Sequence, residues 1–496
     1  MEVSMRYRNP VVRGFYPDPS VCFADGKYYM VCSSFQFFPG VPLFESSDLI
    51  NWRQIGHCLT RRSQVMLDGA GSSAGVYAAT IRYNAGVFYM VTTNTSVGKN
   101  FYITTNDIYG EWSEPVFVEQ GGIDPSLYFE DGHAYFMSNG VDEAGKPAIL
   151  QCEIDINTGE KLTASRAVWN GAGGRYLESP HLYRINGSYY IMAAEGGTEY
   201  GHMIVYGRGD SLWGPFENYP HNPVLTNRNL GGYVIQGVGH GDLVQSVSGE
   251  WFVVHLGFRQ TDQWMPYHHL GREVYMTPVH FGADGWFTCG NNGTTEEEFG
   301  IDCETVQERK NEYTFANTSP DVEWCFLRHP DRSKYELSAE RYVLRSGEHT
   351  LDDIASPTFI GIRQVDFRGT AEAEVCIDRG EGGMTMFMDE NHHYDLMLRS
   401  TADGYEAVLK LNIGDIKHEQ FTAPVSSGRA RLKVELDNLA YTFHVIDGER
   451  EILCGSAQTK YLSSEVAGEF TGVFIGLFAQ HGCNAGFTDL CVRYTQ

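Results

Sequence analysis

Basic residues are scarce in this chain. Its 496 residues carry 37 Lys and Arg against 63 Asp and Glu, a formal net charge of −26. That shortage argues against nucleic acid or an anionic membrane face as partner, since both are met with basic patches; it fits a neutral substrate and a well-solvated acidic surface. Long apolar runs are missing as well. No window approaches the roughly 18 residues of a membrane span, and the opening MEVSMRYRNPVVRGFYPDPS lacks the apolar core of a secretory leader. The eleven cysteines are odd in number and include no Cys-x-x-Cys pair, which predicts reduced thiols in a cytosolic protein. No Walker loop occurs. The glycine-rich run Asn170-Gly-Ala-Gly-Gly-Arg-Tyr176 precedes no helical pattern, so a dinucleotide site is not expected. No His-x-x-x-His accompanies the acids, and the pairs His268-His269 and His392-His393 would point apart on a strand and read as ordinary polar residues.

Aromatics and glycine are abundant instead: 13% of the chain is Phe, Trp or Tyr, and Gly numbers 55. This composition suits strands and tight turns. The stretch Gly26-Lys-Tyr-Tyr-Met recurs as Gly86-Val-Phe-Tyr-Met, Gly132-His-Ala-Tyr-Phe, Gly187-Ser-Tyr-Tyr-Ile and Gly249-Glu-Trp-Phe-Val. Each copy is a turn glycine followed by a buried-looking aromatic strand, and the 46- to 62-residue intervals are those of propeller blades. Five copies predict a five-bladed β-propeller of four-stranded blades over residues 1–300; a β-sandwich with chance likeness between hairpins is the alternative.

Eight or nine residues before each turn glycine stand Asp18 in Tyr-Pro-Asp-Pro-Ser, Ala78 in Gly-Val-Tyr-Ala-Ala, Asp124 in Gly-Ile-Asp-Pro-Ser, Glu178 in Leu-Glu-Ser-Pro-His, and His240 in Gly-Val-Gly-His-Gly-Asp-Leu. In a propeller the innermost strand opens each blade, so these positions converge on the central channel. Gathered carboxylates resist ionising together, and unpaired buried charge is costly, so a fold does not collect them for stability. Glycoside hydrolysis uses such an arrangement, with one protonated carboxyl for the leaving oxygen and one ionised, while a third acid tunes the first. The rival use is a hard cation held by the acids and a histidine.

Several motifs carry a further likeness: Asn9-Pro10 through Tyr16-Pro-Asp-Pro-Ser20, Ser33-Ser-Phe-Gln-Phe-Phe-Pro-Gly-Val-Pro42, Asp48-Leu-Ile-Asn-Trp52, Ile123-Asp-Pro-Ser126, Glu178-Ser-Pro-His181 and Gly271-Arg-Glu273. In this order the chain resembles glycoside hydrolase family 43, and within it the two-domain β-xylosidases and α-L-arabinofuranosidases. The resemblance implies a five-bladed propeller with inverting chemistry. It implies Asp18 as general base, Glu178 as general acid, and Asp124 as the residue that tunes the acid and orients substrate. It places His240 on the axis, sometimes near a divalent cation such as calcium that the chemistry does not require, puts Arg272 on the pentose hydroxyls, and makes Phe35 a wall of the sugar subsite. Two departures fall on what would be the pocket wall: Tyr77-Ala78-Ala79 where the family often has Trp-Ala-Pro, and Gln36-Phe37 where it often has Glu-Trp.

Residues 301–320 are polar and without pattern and read as a linker. Beyond them, over residues 321–496, the segments AEAEVCID, YEAVLKLNI, RARLKVELD and YTFHVID alternate as half-buried antiparallel strands do and predict a concanavalin-like β-sandwich. The resemblance agrees, and implies a loop that leans from this domain over the propeller; Phe470 is the candidate for that reach, an apolar core position being the alternative. The expected protein is all-β and cytoplasmic, possibly a homo-oligomer, acting on a small oligosaccharide. It would release terminal xylose from β-1,4-xylooligosaccharides, or alternatively arabinose from side chains as an α-L-arabinofuranosidase. A non-catalytic sugar-binding lectin on the same scaffold is the reading from a different class.

Overall fold

The computed structural model describes residues 5–495. Turn chemistry explains the repeat. At Asp25-Gly26, Ala85-Gly86, Asp131-Gly132 and Asn186-Gly187 both residues have positive φ, the type I′ geometry whose twist matches that of the paired strands. These two-residue turns fix the registers Ala24 with Lys27, Asn84 with Val87, Glu130 with His133 and Ile185 with Ser188. The fifth copy differs: Gln245 pairs with Trp251, so Gly249 sits in a longer loop.

Each hairpin belongs to a four-stranded antiparallel sheet. The first blade holds Ser20–Ala24, Lys27–Val31, Gly40–Ser46 and Arg53–Leu59, and the second Thr80–Asn84, Val87–Asn94, Lys99–Thr105 and Val116–Val118. The third holds Ser126–Glu130, His133–Val141, Pro147–Ile154 and Arg166–Trp169, and the fourth Glu178–Ile185, Ser188–Glu195, Met203–Gly209 and Glu217–Asn218. The fifth holds Ile235–Gln245, Trp251–Arg259, Glu273–Phe281 and Phe287–Cys289. The innermost strands of successive blades touch, and that of the fifth meets that of the first, which closes a five-bladed propeller. Small hydroxyls near the inner strand starts tie neighbouring blades: Thr80 Oγ1 donates to the Pro125 carbonyl at 2.9 Å and Ser126 Oγ to the Pro180 carbonyl at 2.5 Å. Met5–Arg8 pairs with Glu298–Ile301, bringing the N-terminal strand beside the chain that leaves the fifth blade.

The second half is a sandwich of an eight-stranded and a six-stranded antiparallel sheet. The four alternating segments are strands Gly369–Ile377, Gly404–Ile413, Arg429–Leu436 and Ala440–Asp447, and their inward residues, Val375, Leu409, Leu432 and Phe443 among them, share one core with Met386 and Ile475. Within the stretch read as linker, Glu312–Thr314 pairs with Cys491–Arg493 of the sandwich.

The domains meet across an apolar seam. Phe326–Leu327 pairs with Phe37–Phe38 of the propeller, Phe37 stacks on Phe474 at 4.1 Å, and Arg363 Nε donates to the Phe15 carbonyl at 2.7 Å. Phe37 and Gln36 are therefore fully buried in or beside this contact, which corrects the expectation that both line the sugar pocket: aromatic surface on a propeller loop is as useful for docking a second domain as for stacking a sugar. Nor are the paired histidines ordinary polar residues. His392 bonds to Asp389, His393 to both Asp395 and Asp352, and His268 to Glu465. Among the described residues, no helix is long and apolar enough to cross a membrane, and all eleven cysteines are unpaired.

Candidate active site

The inner strands place the site, and strained residues stand just ahead of two of them and within two others. Asp18, Asp124, Ser179 and His240 have φ of 56°, 54°, 60° and 44°, a region that non-glycine residues seldom occupy and that clusters at functional sites. Counting back from the hairpins, Asp18, Ala78, Asp124 and Ser179 occupy the same position in four blades, two residues before Ser20, Thr80, Ser126 and His181. Glu178 thus stands one residue ahead of the position held by Asp18 and Asp124. The offset frees the serine to join the two acidic blades to the histidine: Ser179 Oγ donates to Asp124 Oδ2 at 2.8 Å and lies 2.7 Å from His240 Nδ1.

Asp18 is buried against Arg272, whose Nη1 donates to its Oδ1 at 3.0 Å; Ser33 Oγ donates to Oδ2, and His240 Nδ1 is 3.5 Å away. Burial alone would push this carboxyl up, but Arg272, His240 and Ser33 outweigh it and hold Asp18 below the usual carboxylate value. Glu178 moves the other way. Burial, then the charges of Asp124 and Asp18, drive its pKa well above that of a free glutamate, with only Arg272 opposing. Asp124 is also raised, chiefly by burial, with Asp18 adding to it. The three carboxyls therefore sense one another's charge, with Asp18 displaced toward its ionised form and Glu178 toward its protonated form.

The wall is aromatic. Phe35 is buried with its ring 5.2 Å from Tyr77, 6.4 Å from Phe470 and 5.6 Å from the Arg272 guanidinium. Phe470 is not a core residue: it is 42% exposed, on the sandwich loop that precedes Phe474–Gln480. Its N–H donates to Ser73 Oγ at 2.8 Å, and its carbonyl accepts from Arg272 Nη2 at 3.3 Å. The loop is anchored again where His268 bonds to Glu465, Nδ1 to Oε1 at 2.6 Å. All eight residues singled out from the sequence, Asp18, Phe35, Tyr77, Asp124, Glu178, His240, Arg272 and Phe470, belong to this one region.

Other members were not anticipated. Ser33, Thr198 and Ser179 are small polar residues without a motif of their own. Ser73 lies in Gly71-Ser72-Ser73-Ala74-Gly75, which has the spacing of a nucleophile elbow, but it sits in a loop between strands with no histidine among its hydrogen-bond partners, so it holds the sandwich loop. His181 and His202 are buried, and burial takes both down to about 3, so near neutral pH they add no cation. As for a metal, no group of three or more His, Cys, Asp or Glu among the described residues is placed to hold one. His240 Nδ1 lies 2.7 Å from Ser179 Oγ and 3.5 Å from Asp18 Oδ1, so a cation beside this histidine would have to meet its other ring nitrogen. A separate cleft of about 820 Å³ runs along the domain seam past Arg13, Arg309 and Asp366; it contains none of the three acids.

The chain matches Glycosyl hydrolases family 43 over residues 7–287 and the Beta xylosidase C-terminal Concanavalin A-like domain over residues 312–488. It is 37% identical to the non-reducing end alpha-L-arabinofuranosidase BoGH43B of Bacteroides ovatus, covering 95% of this chain and 91% of that one. It is 34% identical to a xylosidase/arabinosidase of Butyrivibrio fibrisolvens, over 95% of each. The solved structure titled Bacteroides ovatus Xyloglucan PUL GH43B superposes with a TM-score of 0.92 at 35% identity, over 99% of this chain and all of that one.

Proposed function

The chain belongs to the family 43 glycosyl hydrolases, and on that premise we propose that it is an exo-acting, inverting enzyme that removes one terminal pentose from a small oligosaccharide. The observation that carries this reading is the opposite displacement of two carboxyls that feel each other's charge, Asp18 held down beside Arg272 and Glu178 driven up. Asp18 takes a proton from water as the water oxygen attacks C1. The C1–O bond to the leaving sugar breaks, and Glu178 gives its proton to the departing oxygen. One water is consumed, the new hemiacetal has the opposite anomeric configuration, and solvent returns both carboxyls to their starting states. Inversion needs room for that water, a carboxyl separation of about 6.5–9.5 Å, which acids at the strand starts of the first and fourth blades suit.

Arg272 binds Asp18 and Thr198 with one nitrogen and the Phe470 carbonyl with another, so it is placed to order the pentose hydroxyls beside the base. Phe470 and Ser73 together support a closed end, which favours release of a single unit over cleavage within a chain. The sequence pointed first to xylose. The names of the relatives favour an α-L-arabinofuranosyl unit at least as strongly, so the two pentoses stand as the candidate glycones. No step runs through a metal.

The test is hydrolysis of 4-nitrophenyl β-xyloside and 4-nitrophenyl α-L-arabinofuranoside side by side, with proton NMR of the first-formed sugar. Turnover of either with inverted configuration is expected, and the ratio of kcat/KM assigns the glycone. A first-formed sugar of retained configuration would remove Asp18 as the base, and turnover of neither would remove the reading.

A further inference from the structure

The glycine-rich run Asn170–Tyr176 has no part in the chemistry above, yet the structure holds it firmly. Glu195, fully buried, accepts the backbone N–H groups of Ala172 at 2.8 Å, Gly173 at 3.2 Å and Gly174 at 2.9 Å. The loop wraps this carboxylate so closely that a Cβ at Gly171 or Gly174 would lie 2.2 Å or 2.6 Å from its oxygens. The next residue is clamped to the opposite loop: the N–H of Gly196 donates to the Arg175 carbonyl at 2.8 Å, Arg175 Nε donates to the Gly196 carbonyl at 3.0 Å, and its guanidinium pairs with Glu199.

This rigid loop delivers Tyr176, two residues before Glu178. Its backbone has φ of 55°, a genuine outlier for a bulky side chain. Asp18, Phe35, Ser73, Asp124, Ser179 and His240, all in the active site, share that signature. The others have buried side chains, whereas Tyr176 is 61% exposed. Its ring is braced from behind by the Arg175 guanidinium, 5.2 Å from the centroid. The ring also packs against Gly197, where a Cβ would come within 3.1 Å of it. Gly197 is followed by Thr198, the partner of Arg272. A large, mostly exposed aromatic surface is thus fixed two residues from Glu178.

We propose that Tyr176 is the platform for the leaving group, stacking on the apolar C–H face of the pyranose unit that departs; this rests on the hydrolase reading above. Chemistry fixes the side. The leaving oxygen takes its proton from Glu178, so the departing sugar lies against the loop that carries Glu178, and two residues of extended chain place Tyr176 within about 7 Å of it. The other exposed aromatic of the site, Phe470, is tied to Arg272 and closes the glycone end. Aromatic faces with rigid backing are the usual lining of sites that must orient a largely apolar surface.

The experiment compares kcat/KM on two substrates with the same glycone, the pentosyl fluoride and the corresponding oligosaccharide (xylobiose, or arabinosylated xylobiose), for wild type, Tyr176→Ala and Tyr176→Phe. For Tyr176→Ala the loss on the oligosaccharide is expected to exceed the loss on the fluoride by about tenfold, mostly through KM, while Tyr176→Phe stays within about threefold of wild type on both. Equal losses on both substrates, no loss on either, or failure of the Phe variant to restore the oligosaccharide would overturn the platform alone. Wild-type protein inactive on every fluoride would overturn the hydrolase reading and the platform with it.

Discussion

Two buried clusters of charge stand in contrast. In the six-stranded sheet of the sandwich, His393 lies between Asp395 at 2.9 Å and Asp352 at 3.0 Å, and Asp352 is further met by Lys410, Lys417 and Asn412. Burial alone would lower the imidazole, but the two aspartates reverse this and raise His393 to about 9. Every carboxylate there has a cation. At the candidate site Asp18, Asp124 and Glu178 have one arginine among them, Arg272, while the nearby Asp242 is paired with Arg82; Glu178 forms none of the observed ion pairs. Both arrangements carry a desolvation cost. The sandwich offsets it with opposite charge, whereas at the axis burial and the neighbouring carboxylates push Glu178 toward its protonated form. The first solution contributes stability; the second leaves a carboxyl biased toward its protonated form, which is what the proposed general acid requires.

Breaking each cluster should therefore have different consequences. The largest effect belongs to Glu178→Gln, which removes the transferable proton while keeping shape: kcat on the oligosaccharide should fall about 10²- to 10⁴-fold with sugar binding by calorimetry retained. Wild-type turnover in this variant would mean that another group is the acid. In the sandwich, His393→Leu leaves Asp395 buried without a cation and should cost about 3–5 kcal/mol of folding stability, read as a lower unfolding midpoint in urea. Because the folded-state pKa of His393 lies above its unfolded value near 6.5, its contribution is full below pH 6.5 and disappears as pH rises through about 9. The stability gap between wild type and variant should narrow over that window, and a gap constant with pH would sink the ion-pair account.

The smallest effect sharpens the comparison at the axis. Asp124→Asn takes away a negative charge that helps keep the proton on Glu178, so the alkaline limb of kcat/KM should move to lower pH. No movement would mean that burial and Asp18 set the acid without Asp124, and movement toward higher pH would contradict the charge assigned to Asp124.

Asp18 and Asp124 were legible because each sits in an Asp-Pro-Ser triplet at a fixed distance from a turn glycine, and period survives in one dimension. Glu178 was legible as an acid, but its offset from the common position was not, since one residue of slip is invisible until strands pair. Phe37 misled because nothing local separates a ring that docks a domain from a ring that faces a sugar. His393 was passed over because its partners, Asp352 and Asn412, come from other segments of the sandwich. Tyr176 stood in a run set aside for lacking a helix, and its importance appears only in a backbone angle and an exposed ring.

The sequence by itself determined the local repeat, a turn glycine joined to an aromatic strand and written five times, with a two-residue turn in four of them, and with it the propeller and the acids near its inner strand starts; turn geometry and strand alternation depend on neighbours a few residues apart. Tertiary structure alone decided which carboxyl is pushed up and which down, which aromatics gather around Arg272 rather than in the domain seam, and where the sandwich loop meets the propeller. Those outcomes depend on burial and on charges brought together from positions 18, 124, 178, 272 and 470, and no short-range pattern records such distances.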